Sequence, residues 1–185
     1  MSENEPDDAI SGLFEDLEQQ AAGIHLAERD AELLDRARGE YATVSFASRI
    51  HASLGHEVVL TLLDGDTVRG VVGAAGLDWC AIDVPGQRWR WLVRLQAVST
   101  VQGLSTRAVP QAARPAIARL SFGSALHRLA EEVSEVALHL TTGREPRVRV
   151  VRIGADFVEV EAAGVEGGPR AAVLVPFGAI LAARA

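Results

Sequence analysis

The chain has 185 residues, 48% of them hydrophobic, and a formal charge of −7, which suits one medium domain or two small ones with a real core. No apolar run approaches the length of a membrane span, and the acidic opening MSENEPDDAI has nothing in common with a secretory leader, so a soluble, cytoplasmic protein with no membrane partner is expected. A single cysteine, Cys80, excludes an intramolecular disulfide and a cysteine-built zinc cluster. Residues 1–43 hold 12 of the 25 acids and 3 of the 18 basic residues, a net of −9; the remainder is then +2. All 18 basic residues are arginine. The overall charge argues against a strong DNA binder but leaves room for a local basic surface on the second part.

Residues 1–10 read as a disordered acidic tail. The segment 11–42 carries an amphipathic helix over about 12–38, because Leu13, Leu17, Ile24, Ala27, Ala31, Leu34 and Tyr41 recur at three- and four-residue steps. Ser11 is its N-cap and Gly39 lies near its end. The narrow, alanine-containing stripe suits a coiled-coil seam or a helix docked on another element.

An internal repeat follows. SFASRIH at 45–51 returns as SFGSALH at 121–127, identical at four of seven positions. Residues 58–84 align with 136–162 at eight of 27 identical positions, among them Leu60/Leu138, Gly65/Gly143, Gly76/Gly154 and Asp78/Asp156. LVRLQAV at 92–98 then matches LVPFGAI at 174–180. Three blocks in one order predict a tandem duplication. Each copy opens with a short helix capped by Ser45 or Ser121, then runs through about five short strands punctuated by turns such as LDGDT. The predicted copies span 43–103 and 117–185, joined by a Pro- and Ala-containing linker at 104–116.

A short helix followed by five strands resembles the Sm-like fold. LDGDTVRGVV, with Gly65 and Gly70 five apart, is similar to the first motif of that family, and VRLQAVSTV at 93–101, with Arg94, to the second. Gly76 stands where the motif has an acid, Leu95 where it has a glycine, and in the second copy Val148 and Pro176 replace Gly70 and Arg94. The layout also resembles an uncharacterised family from high-GC bacteria. The resemblance implies a mainly β protein with an N-terminal amphipathic helix and two duplicated small barrels. It further implies rings assembled through strand pairing and RNA binding, although the RNA-contacting residues of such proteins do not map here.

In QRWRWLV, residues 87–93, strand alternation puts Trp89, Trp91 and Val93 on one face and Arg88, Arg90 and Leu92 on the other. The tryptophans therefore suit an interface between subunits or barrels; stacking on nucleic-acid bases is the alternative. Arg147 and Arg149 share a strand face, with Arg152 nearby, and three guanidiniums can grip phosphate. A solvated face balanced by Glu145, Glu159 and Glu161 is the simpler reading. His51 and His127 recur one turn after Ser48 and Ser124, but no third orienting group accompanies them, and capping explains the serines. Asp78 and Asp156 are lone turn carboxylates, Asp64 and Asp66 lack the further oxygens of a calcium loop, and Cys80 lies on an apolar strand face.

The expectation is a non-enzymatic binding protein without cofactor or metal: an oligomeric scaffold, or an adaptor for a protein partner, using Leu17, Ile24, Leu34, Trp89 and Trp91. The alternative is an RNA-binding or other nucleic-acid-binding regulator using Arg147, Arg149 and Arg152.

Overall fold

A computed structural model describes Arg29 and residues 32–162 and 171–185, and the chain divides into two units, Met1–Val44 and Ser45–Ala185. In the first, helix α1 covers 32–42. The tail, the N-cap Ser11 and the seam residues Leu17 and Ile24 lie outside the described residues. No helix among the described residues is long and apolar enough to cross a membrane.

The second unit opens with α2 (Phe46–His51), then β1 (Glu57–Leu62), β2 (Thr67–Ala75), β3 (Trp79–Asp83), β4 (Arg90–Arg94) and β5 (Val98–Gln102). After the connecting segment come α3 (Phe122–Glu132), β6 (Val136–Leu140), β7 (Arg147–Ile153), β8 (Phe157–Ala162), β9 (Ala171–Pro176) and β10 (Ile180–Arg184). The caps are those the serines suggested: Ser45 Oγ accepts from the Ser48 amide at 3.2 Å and Ser121 Oγ from the Ser124 amide at 3.4 Å. β1 buries Val58, Leu60 and Leu62 in strict alternation, then turns at Gly65, whose φ of +94° explains a glycine there. At Gly70 the reason is proximity, since a Cβ would fall on the Asp83 carbonyl of the adjacent strand. The β2–β3 ladder shifts register between Val72 and Ala74, and the β7–β8 ladder between Val150 and Arg152, so each long strand bends at a bulge.

The ten strands among the described residues lie in a single antiparallel sheet in the order β5-β1-β2-β3-β4-β10-β6-β7-β8-β9. This corrects the expectation of two Sm-like barrels: the sheet is continuous and open, bounded by β5 and β9, and is not closed into separate barrels. The cause is β10, which pairs with β6 on one side and β4 on the other, matching Ala182 to Val93, Ala183 to Leu92 and Arg184 to Trp91. Both faces of the central strands are buried, each against its own core. Cys80, Ile82, Val93 and Leu181 enter one core with Ile50, Leu60 and Val72. Trp79, Ala81, Leu92, Ile180 and Ala183 enter the other with Phe122, Leu126 and Leu138. Each core takes side chains from both halves of the sequence, so residues 45–185 form one unit.

The segment between β5 and α3 is tied down rather than loose. The Ser105 amide donates to Ser53 Oγ at 2.9 Å, Arg49 Nε to the Ser105 carbonyl at 2.6 Å, and the Val109 amide to the Ser48 carbonyl at 3.1 Å.

Candidate functional site

Polar side chains lock the β4–β10 seam. Arg94, on the last position of β4, sends Nη1 to the carbonyls of Ile180, at 3.0 Å, and Phe177, and Nη2 to Gln96 Oε1 at 2.9 Å. Its guanidinium lies 5.8 Å from the Phe122 ring centroid. Burial pulls the Arg94 pKa down, with Asp78 opposing, yet a guanidinium keeps its charge at any ordinary pH. Asp78 Oδ1 accepts the Phe122 amide of α3 at 2.7 Å. This turn carboxylate thus serves a helix start in the other half of the sequence. Trp79 Nε1 donates to the Leu120 carbonyl at 2.9 Å.

The tryptophans of QRWRWLV lie beside this seam, half-buried. Trp89 and Trp91 meet edge to face at 5.9 Å, and the Arg184 guanidinium sits 5.1 and 5.2 Å from their ring centroids. Arg184 is held in turn by Glu145 at 2.6 Å. Alternation correctly separates Arg90, which pairs with Asp83 at 3.0 Å, from the Trp91 ring. The arginine that does meet the indoles arrives from β10, a long-range partner invisible in the local pattern.

The arginine cluster is neutralised across strands. The bulge brings Arg149 opposite Glu161 and Arg152 opposite Glu159; Arg149 pairs with Glu161, and Arg152 donates to Glu159 Oε2 at 2.6 and 2.9 Å. Arg147 is exposed near Trp89 and Arg184. Leu34 on α1 is 60% exposed.

The repeated histidines part company. His51 is buried, with Nε2 donating to the Gly76 carbonyl at 3.1 Å, while Ser48 Oγ donates to the Ser45 carbonyl, so no Ser–His pair forms. His127 is exposed and faces Glu131 at 3.4 Å. Cys80 is buried, and burial pushes its thiol up to about 12.

The two sheet edges carry the features that local pattern did not single out. Leu92 on β4 pairs with Ala81 and is 4% exposed, covered by the second core. Leu174, its counterpart in the LVPFGAI block, pairs with Glu159 on edge strand β9 and is 62% exposed. Phe122 at the start of α3 is fully buried, whereas Phe46 at the start of α2, on the half that ends in edge strand β5, is 37% exposed. Val173, also on β9, is exposed as well. The aligned blocks hold identical residues at Leu92 and Leu174 and at Phe46 and Phe122, so the difference in exposure between the two halves is visible only in the structure.

No protein-family model matches the chain, and no curated protein matches it either.

Proposed function

We propose that the chain is a non-catalytic, cytoplasmic scaffold that assembles with copies of itself by adding β9 of one copy to β5 of the next. The observation that carries this reading is the contrast between Leu92, buried where β4 meets β10, and Leu174, exposed where β9 meets nothing among the described residues. The internal junction joins the fourth strand after one helix to the fifth strand after the other; β9 and β5 are the remaining strands of those two kinds. Neither edge is guarded as exposed edges commonly are. β5 reads VSTVQ and β9 AAVLVP, with no charged residue in either and a proline only at the end of β9. Edge addition supplies a row of main-chain hydrogen bonds, and Leu174, Val173 and Phe46 supply apolar area to cover. Such head-to-tail contacts close into rings or extend as filaments according to the rotation at each joint.

The test is sedimentation velocity across a concentration series, with the wild type and Leu174→Arg. The wild type is expected at multiples of 19.7 kDa, and Leu174→Arg at a single chain with unchanged circular dichroism. A wild type that sediments as one chain at every concentration refutes the reading. The nucleic-acid alternative ranks second, because Glu161 and Glu159 already engage two of its three arginines.

A further inference from the structure

We propose that Asp64, Asp66 and His139 form a binding site for one divalent transition-metal ion, zinc by its donor chemistry, which clips the β1–β2 turn onto β6. The two carboxylates come from the turn after β1 and the imidazole from β6, so the set joins the two halves of the sequence. His139 Nε2 lies 2.6 Å from Asp64 Oδ2 and 3.5 Å from Asp66 Oδ2, and one ligand atom from each residue falls within 4.8 Å of the other two. Zinc bonds of about 2.0–2.2 Å to nitrogen and oxygen in a tetrahedron place neighbouring ligand atoms about 3.4 Å apart. The three atoms meet that spacing with shifts of an ångström or so, leaving a fourth position for water.

Asp64 and His139 are each held by a further contact. Asp64 Oδ1 accepts the Asp66 backbone amide at 3.1 Å, which leaves Oδ2 aimed at the imidazole. The His139 ring packs edge to face on Trp91 at 5.9 Å. Side-chain exposure is 6% for His139 and 11% for Asp64, but 70% for Asp66, so solvent reaches the set at Asp66.

Charge balance favours a metal over a plain ion pair. One Nε2 carries at most one proton, which hydrogen-bonds one carboxylate well, while a second carboxylate at the same nitrogen adds like-charge repulsion beside a buried group. A divalent cation satisfies both oxygens and the imidazole lone pair together. One nitrogen and two carboxylate oxygens suit zinc, cobalt or nickel better than calcium or magnesium, which take all-oxygen shells. The equivalents of Asp64, Asp66 and His139 in the aligned blocks are Thr142, Arg144 and Thr61, so one site per chain is expected.

The experiment is isothermal titration of untagged, chelator-stripped full-length chain with Zn2+ at pH 7.5, repeated with Co2+ while recording the visible spectrum. One equivalent of Zn2+ is expected, with a raised melting temperature and cobalt bands of tetrahedral intensity. Asp66→Asn, at the solvent-exposed ligand, is expected to keep the fold by circular dichroism and weaken Zn2+ at least about tenfold; His139→Gln is expected to abolish the cobalt bands. Absence of Zn2+ binding overturns the proposal and leaves a His–Asp ion pair. Binding untouched by both substitutions overturns it too, since the ion then sits elsewhere.

Discussion

Leu181→Ala separates one continuous sheet from two independent barrels. Leu181 is 1% exposed and lies on β10, late in the sequence, yet its side chain belongs to the core built mainly from α2 and β1–β5. The substitution removes three buried carbons, about 2.4 kcal/mol at roughly 0.8 per methylene, and the cavity left behind raises the cost to about 3 kcal/mol. For a unit of this size that corresponds to a melting temperature lower by about 10 °C. Hydrogen exchange at β1 and β2 reports the first half; the tryptophans do not, since Trp79 lies in the second core and Trp91 packs on His139. Hydrogen exchange at α3 and β6–β8 reports the other. Under urea both probes are expected to move together in the wild type, and to shift together to lower urea in the variant. Two separated transitions, or a variant that loses only the β1–β2 protection early, would refute the shared-core reasoning.

Two further outcomes follow from buried titratable groups. Burial lowers the His51 pKa below its ordinary 6.5, the hydrogen bond to Gly76 opposing and Arg114 adding to the effect. The unfolded chain therefore takes up a proton from about pH 6.5 downward that the folded chain refuses, so stability present above that pH is lost as pH falls towards the folded value. Urea midpoints at pH 7.5 and 5.5 are expected to differ less for His51→Gln than for the wild type; equal differences would contradict this. The Cys80 thiol, fully buried and pushed up to about 12, is expected to ignore a disulfide reagent at pH 8 in the native chain and to react fully in denaturant. Rapid reaction of native protein would place Cys80 elsewhere than in the core.

Local chemistry made much of the second unit readable. Ser45 and Ser121 announced their helices, the alternation of Val58, Leu60 and Leu62 announced β1, and Asp-Gly at 64–65 announced the turn, because each depends on residues a few positions apart. The joining of the halves depends on pairings nearly ninety residues apart, such as Val93 with Ala182. Nothing local distinguishes a strand buried on both faces from one buried on a single face when the second face is lined by Ala81 and Ala183. The same limit hid the sites. Asp64 and Asp66 looked short of ligands because the third donor is His139, and nothing near Trp89 and Trp91 in sequence points to Arg184, which covers them.

The tenth strand in chain order occupies the middle of the sheet, and this affects synthesis. While the ribosome is still making α3 and β6–β9, β4 has no partner on one side, and Trp91, Leu92 and Val93 face the cell with an open ladder of amides and carbonyls. Contacts so distant in sequence close slowly. A nascent chain of this kind is most prone to misassociation just before β10 emerges, and chains shortened within β10 are expected to aggregate in place of folding as a smaller domain.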